Sequence, residues 1–431
     1  MLRTVTHRLG VLVPAALLAA TFLASPAWRP PARAQGAACV VPPGPDAVTN
    51  YNKIVACFKS GGTVTLQAGS YALAHHIYMP PQTKMTGATD GASVITYSGS
   101  GNTVFLLKDG DSLDHVHIDA GGALTVKNSA IVKISGDGNS VTDTEVYDRT
   151  DSPIHVTGIY FIGQAMTHNT VERADIHDVF NGVIFRKGQN DPAQNVLADS
   201  KVEHTQCDAV NLAGAGTVRH DTITEVGFDC GNKIPAAGIY ALNNQEGAVI
   251  TGNTVSDSCG NLLDIVNSKA FRIENNSFTG PGFTEGGKYP ACRGNGASLV
   301  NVQGSTISGN TIVATDRNPV PAAVVGDEWA GNFAARARLS HPLIALKLVY
   351  APRYGDVQST GNVFENNTFS ASCSAGGCTG LGLFVGKETG SNTFRDNHLA
   401  ASNVPSVRCG QNSYSANDDD KAHGGGGNDG C

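Results

Sequence analysis

The stretch ITGNTV, Ile250–Val255, decides how this chain folds, because it comes back along the sequence. It is a frame of two apolar residues with four residues between them. The frame recurs as IENNSF (Ile273–Phe278), ISGNTI (Ile307–Ile312), FENNTF (Phe364–Phe369) and FRDNHL (Phe394–Leu399), each with Asn two places before its second apolar residue. Upstream it fits VRHDTI (Val218–Ile223), Leu197–Val202, Val171–Ile176, Val141–Val146 and Leu113–Ile118. The copies stand about 21 to 34 residues apart, with one gap of about 57. Recurrence at such a period marks a solenoid, in which one coil cannot bury its own apolar face and must stack on the next.

Each copy reads as two short strands around a tight corner, where Asn tolerates the left-handed backbone a corner needs. A third apolar run follows: GIYFI at 158–162, GVIF at 182–185, AVNL at 209–212, GIYAL at 238–242 and LLDIV at 262–266. Helical periodicity is lacking between them, so a helical or leucine-rich repeat does not fit. Three short strands per turn of about 22 to 30 residues predict an all-β fold, a right-handed parallel β-helix of roughly ten or more coils. Asn253, Asn276, Asn310, Asn367 and Asn397 then stack at one corner as a structural ladder, which leaves little weight for a ligand there.

Outward from this centre, residues 1–34 read as an export signal: Arg3 and Arg8, an apolar stretch from Leu9 to Ala24, and a small-x-small site ending at Ala34, where cleavage is expected. The expected location is therefore secreted or periplasmic, and no stretch is long enough for a membrane span. A short helix from Asp46 is expected to plug the first coil, with Val48, Tyr51, Val55 and Phe58 on one face and Thr63–Leu66 beginning the first strand. The β-helix domain is drawn over 35–402, and the Gly/Asp-rich stretch 403–431 as a flexible cap tethered by Cys431. All ten cysteines follow the signal, which suggests disulfides. Cys39 with Cys57, Cys373 with Cys378 and Cys409 with Cys431 are plausible pairs, whereas the pairing of Cys207, Cys230, Cys259 and Cys292 cannot be read. A net charge of −7 without any basic run argues against nucleic acid.

With this frame and the opening GGTVTLQAGSYAL, the chain resembles the β-helix superfamily of pectate lyases, polygalacturonases and alginate epimerases over roughly residues 46–402. The resemblance is specific for fold and much weaker for activity.

The middle coils carry the chemistry. Two places after the second apolar residue of each copy stand Asp148, Asp178, His204, Glu225 and Asp257, where the outer coils have Ala120, Gly280, Ala314, Ala371 and Ala401. The position before adds Tyr147, His177 and Glu203. Equivalent positions on neighbouring coils lie about 4.8 Å apart, so like charges there perturb one another unless a cation or substrate intervenes. On the following strand the outward column reads Lys133, Tyr160, Ile184, Asn211, Tyr240, Asp264, Asn301 and Lys347, with Arg186 one step further along its strand. Phenols, cations and amides on one flat sheet make a shelf suited to an extended polysaccharide.

Three functions stay open. The first is β-elimination from a uronate polymer, for which Arg186, Lys133, Tyr240, Tyr160 and His204 offer cations and bases; Asp178, His204, Glu225, Arg186 and Tyr240 are expected to be catalytic, and Lys133, Tyr160, Asn211, Asp264, Asp208 and His177 to bind substrate. Asp148, Asp178 and Asp257 are the tentative Ca²⁺ ligands. Epimerisation shares the proton abstraction, but the epimerases' Asp-Pro-His motif is absent; the nearest string runs from Asp151 to His155 with the wrong spacing. The second is glycoside hydrolysis by a carboxylate pair such as Glu225 with Asp257, or Asp178 with Glu225. Asp208 matches one Asp of the polygalacturonase set, but Cys207, Asn181-Gly182 and Ala237-Gly238 replace its other members. The third is a non-catalytic binding or surface β-helix. Cleavage of a glycosidic bond over the middle coils is the preferred expectation, with elimination slightly ahead.

Overall fold

The computed structural model describes residues 36–60, 62–89, 92–148, 155–188, 191–227, 230, 236–280, 294–316, 342–352, 358–373, 379–386, 388–401 and 404–419. The repeating apolar pairs have nowhere to go within one coil, and the chain satisfies them by stacking coils into a right-handed parallel β-helix. Its three parallel sheets hold 14, 12 and 12 strands. We call them the first, third and second sheets, in the order in which a coil visits sheets one, two and three: the 14-stranded sheet is one, the sheet from Gly69–Leu73 to His398–Ala401 is two, and the sheet from Ile77–Tyr78 to Val404–Arg408 is three. In every copy of the frame the first apolar residue lies in sheet one and the second in sheet two. Ile250, Val255, Ile273, Phe278, Phe364 and Phe369 are all buried, each contributing about 1.5 to 3 kcal/mol on burial.

The corner between sheets one and two explains the Asn. The left-handed residue is the one before it: Gly252, Asn275, Gly309, Asn366 and Asp396 all have φ between 53° and 68°. The Asn itself turns inward and forms the expected ladder. Asn253 Nδ2 donates to Val218 O (2.9 Å) and to Asn276 Oδ1 (2.9 Å), and the pattern repeats through Asn310, Asn367, Asn397 and Asn417. At the N-terminal end of this ladder the residue is Asp221. It accepts from Ser200 N (2.8 Å) and donates its own N–H to Asn253 Oδ1 (2.9 Å). Its Oδ2, where the other rungs carry an amide, is buried with no hydrogen-bond partner. Burial, ahead of the charge of Asp199, pushes this carboxyl up to about 8.

Three expectations are corrected at the ends. The helix, Ala47–Lys59, is capped by Asp46 as expected (Thr49 N to Oδ1, 2.8 Å), but it buries Asn50, Ile54, Cys57 and Phe58. The face is rotated because Cys57 is bonded to Cys39 and Asn50 Nδ2 donates to Ala72 O, so Val48 is left exposed. A strand, Gly36–Val41, precedes the helix and pairs with Gly62–Leu66, so the solenoid begins before its plug. Beyond residue 402, Val404–Arg408 and Gln411–Ser415 continue sheets three and one, because their alternating residues can still pair with the coil below. Arg408 is wholly buried there, paired with Asp419.

Of the disulfides, Cys39–Cys57 forms as expected, and Cys207 pairs with Cys230. Cys259 and Cys409 are also disulfide-bonded. Cys292, Cys378 and Cys431 lie outside the described residues, as do the proposed export signal, residues 149–154, and the long insertions after 280 and 316. No described helix is long and apolar enough to cross a membrane.

Candidate functional site

The ionisable column sits at the corner between sheets two and three, and its backbone gives part of the reason for its composition. Asp178, His204, Glu225 and Asp257 have φ of 48° to 54°, the left-handed region, which Asp and His enter more readily than most residues. Folding thus accounts for some of the polarity that the sequence pattern assigns to chemistry. Glu is a poorer choice there.

The structure joins several of these side chains. His177 Nδ1 lies 2.7 Å from Asp178 Oδ2 and its Nε2 lies 3.0 Å from Glu145 Oε1. His204 Nδ1 is 2.5 Å from Asp178 Oδ1, and His117 Nδ1 is 2.7 Å from Glu145 Oε2. The result is an alternating file, His117–Glu145–His177–Asp178–His204, across four coils. Burial alone would lower His177, but the bonds to Asp178 and Glu145 outweigh it and lift the imidazole to about 9. Burial would likewise raise Asp178, but the two imidazoles outweigh it and hold the carboxyl well below the usual carboxylate range. The Tyr147 ring stacks on His177, 5.0 Å between centroids.

These contacts engage one of the three residues expected as Ca²⁺ ligands. Both oxygens of Asp178 are taken by imidazoles, which repel a cation once protonated. Asp257 stands three coils away at the equivalent corner, about 14 Å at the interstrand spacing, far beyond the reach of a shared ion. Asp114, His115 and Asp143 also gather, but Lys84 and Arg173 pair with the two carboxylates.

Sheet three carries the second set. The register runs Tyr78, Leu106, Lys133, Tyr160, Ile184, Asn211, Tyr240, Asp264, Ser298, Lys347. Asn301 is not part of it: Ser298 takes that place, and Asn301 is buried, bonding Ala351 in both directions. Lys133 is only 9% exposed and has no hydrogen bond or ion pair among the described residues; burial lowers its pKa. Two buried carboxyls lie further along. Asp208 accepts from Ala237 N (3.1 Å) and Asn211 Nδ2 (3.2 Å); burial first, then the charge of Asp264, pushes it up to about 7. Burial raises Asp264 to about 6, with Lys347, Asn261 and Ser298 opposing the rise. Asp208 occupies a corner column that Asn181 and Asn261 also use, Asn181 Oδ1 accepting from Asp208 N and Asn261 Oδ1 from Asn295 N.

Arg186 and Glu225 are not brought into either set. Arg186 is exposed and bonds Ile162 O at the far end of its strand, because a coil turns there toward sheet one. Glu225 makes no hydrogen bond among the described residues. One side chain was passed over by the sequence reading: His155 is exposed and stacks on Phe180, 3.7 Å between centroids, where the coil of Tyr160 enters sheet three. Its signal was the insertion before it, which breaks the repeat frame and so hid its place on a coil.

No protein-family model matches the chain, and no curated protein matches it by sequence. Among solved structures it is similar to the A-module of the mannuronan C-5 epimerase AlgE6 of Azotobacter vinelandii, at 13% identity and TM-score 0.64 over 87% of this chain and 96% of that one. The A-module of AlgE4 from the same organism gives 15% and 0.62 over 86% and 96%. The catalytic unit of a thermostable α-1,3-glucanase from Streptomyces thermodiastaticus gives 13% and 0.51 over 88% and 67%. At these identities the likeness is one of fold: the chain is a right-handed parallel β-helix, as those enzymes are.

Proposed function

We propose that this protein removes the C5 proton of a uronate unit in an extended polysaccharide bound along sheet three. The observation that carries the reading is Lys133, a largely buried lysine with no hydrogen bond or ion pair among the described residues, in register beside the phenol of Tyr160. A desolvated cation of this kind is costly to fold around and is best explained by an anion supplied from outside. A uronate carboxylate fits. Lys133 would hold it and stabilise the enediolate charge that develops on its oxygens as the C5–H bond breaks. Tyr160, next in the file, and His155, on the same coil, are the candidates to take and return the proton.

The enediolate then has two fates. If the C4–O bond breaks, the electron pair forms a C4=C5 double bond and the leaving oxygen takes a proton, which is β-elimination. If a proton returns to the opposite face, the unit is epimerised. Export through a cleaved signal and action outside the cell fit the disulfides and are part of this proposal. The epimerase activity named for the similar A-modules supports the shared proton abstraction without choosing between the two fates.

A second reading rests on Asp208 and Asp264. These are buried carboxyls with raised pKa, set two coils apart, the arrangement an inverting hydrolase needs for its acid and base. The test is a panel of uronate and neutral polymers, followed for unsaturated-uronate absorbance, new reducing ends and C5 epimer ratio. The uronate reading expects absorbance or a changed epimer ratio, lost in Lys133→Met with the circular dichroism unchanged. Reducing ends without absorbance, kept in Lys133→Met and lost in Asp208→Asn, would replace it by the hydrolase.

A further inference from the structure

We propose that Tyr78, with His76 beside it, is a distal sugar-stacking subsite that lengthens the polymer path beyond the reacting unit; this rests on the reading of sheet three as the polysaccharide face. Tyr78 heads the same outward file as Lys133: it pairs with Leu106, which pairs with Lys133. Two coil steps separate them, about 10 Å or roughly a disaccharide along the stack. Its neighbours Ile77 and Met79 point into the core, so the ring has no route inward and is 57% exposed. A lone exposed apolar side chain asks for no explanation, but this one lies in line with Tyr160 and Tyr240.

The surroundings are built around the ring. His76 lies 4.3 Å from Tyr78, centroid to centroid and tilted by 44°, so the two rings form an open corner and not a closed stack. Beneath them Tyr97 is 1% exposed and its hydroxyl is buried with no hydrogen-bond partner. The loop that follows closes over this phenol only because it is glycine: a Cβ on Gly99 would fall 2.3 Å from Ala74 O and 2.8 Å from Tyr97 Oη. A Cβ on Gly101 would meet Tyr97 Oη at 3.2 Å and His76 Nδ1 at 3.6 Å. The Tyr78 phenol also helps to raise Tyr97, after burial, which puts the two phenols near one another. An aromatic face with hydroxyl and imidazole edges suits a sugar ring, whose C–H face packs on the ring and whose hydroxyls bond at its rim.

The test compares wild type, Tyr78→Phe and Tyr78→Ala by affinity electrophoresis in native gels cast with polymannuronate, polygalacturonate or a neutral glucan. Retardation in Tyr78→Ala is expected to weaken about five- to tenfold in Kd, with Tyr78→Phe close to wild type. For a polymer that is turned over, Tyr78→Ala should raise KM for long chains by the same factor. It should leave kcat, and all constants for disaccharides too short to reach it, unchanged. Unchanged retardation in Tyr78→Ala, or an equal effect on disaccharides and polymers, would overturn the subsite. Retardation by the glucan alone, lost in Tyr78→Ala, would keep the subsite and overturn the uronate reading. A wild type retarded by no polymer would overturn both.

Discussion

Asp221→Asn should make this protein more stable at neutral pH, although it replaces a buried carboxyl that accepts a hydrogen bond. The wild-type carboxyl stands at a ladder rung where every later coil has Asn. Its Oδ1 keeps the bond from Ser200 N, but its Oδ2 has no partner. An amide at that place would donate to the carbonyl of Leu197, as Asn253 Nδ2 donates to Val218 O at 2.9 Å. The folded carboxyl is pushed from its ordinary 3.8 to about 8. Between those values the folded chain holds a proton that the unfolded chain has released. Stability therefore falls as pH rises from about 4 to about 8, and is level outside that window. At pH 7 only the roughly three units between the ordinary value and that pH count, which corresponds to about 4 kcal/mol at 1.36 kcal/mol per unit. Relaxation of the ladder lowers this, so a gain of about 2 to 4 kcal/mol is expected for Asp221→Asn. Urea unfolding followed by far-ultraviolet circular dichroism at pH 4, 6 and 8 checks it. The difference between variant and wild type cancels all other titrations, and it should be near zero at pH 4 and grow to pH 8. A variant equal to or less stable than wild type at pH 7, or a difference independent of pH, would refute the ladder argument.

The other predictions concern the site and the plug. His177→Gln should flatten the stability profile in a different window. The folded imidazole is raised from 6.5 to about 9, so its contribution is complete below about 6.5 and lost as pH rises through 9, about 1 to 3 kcal/mol in all, read from the same urea midpoints. Lys133→Met should lower turnover of a uronate polymer by at least about a hundredfold while raising stability by about 1 kcal/mol, since it removes a largely buried lysine with no ion pair among the described residues; turnover by initial rates and stability by thermal midpoint check it. Asp208→Asn should leave the thermal midpoint within a few degrees, because the corner bond to Ala237 N survives in the amide, so any loss of activity would be chemical. Cys39→Ser with Cys57→Ser should cost about 2 to 4 kcal/mol by releasing the first strand from the helix plug, seen as a lower thermal midpoint without reductant.

The fold was legible because its signal is periodic: ten copies of one frame override any single ambiguous residue. The ladder was legible for the same reason, down to Asn397, yet Asp221 was not seen as its odd member. Its carboxylate looks like any other until the rung's missing donor is visible. Direct contact between Asp178, His177 and His204 followed from coil spacing. The failures share a cause: position along a strand does not fix position around the coil. Arg186 lies two residues past Ile184 of the outward column and turns to another corner, while Asn301 drops out because Ser298, three residues earlier, pairs with Asp264 and Asn301 itself sits at a left-handed corner (φ 55°), as Asn267 does on the coil before. For the Ca²⁺ set, the repeat showed that Asp148, Asp178 and Asp257 share a column but not that Asp178 is held by two imidazoles. Burial of Lys133 and Asp208 is set by neighbouring coils, which no local pattern encodes.

The central claim is that C5–H of a uronate is broken on sheet three. Incubation of polymannuronate and polygalacturonate with the protein in D₂O, followed by proton NMR of the recovered polymer and its fragments, tests this most directly. Elimination removes the C5 proton and leaves a C4 vinyl signal; epimerisation returns deuterium to C5. The account predicts one of these two outcomes for wild type and neither for Lys133→Met. Intact C5–H signals in every uronate, alongside fragmentation of a polymer that depends on Asp208, would contradict it.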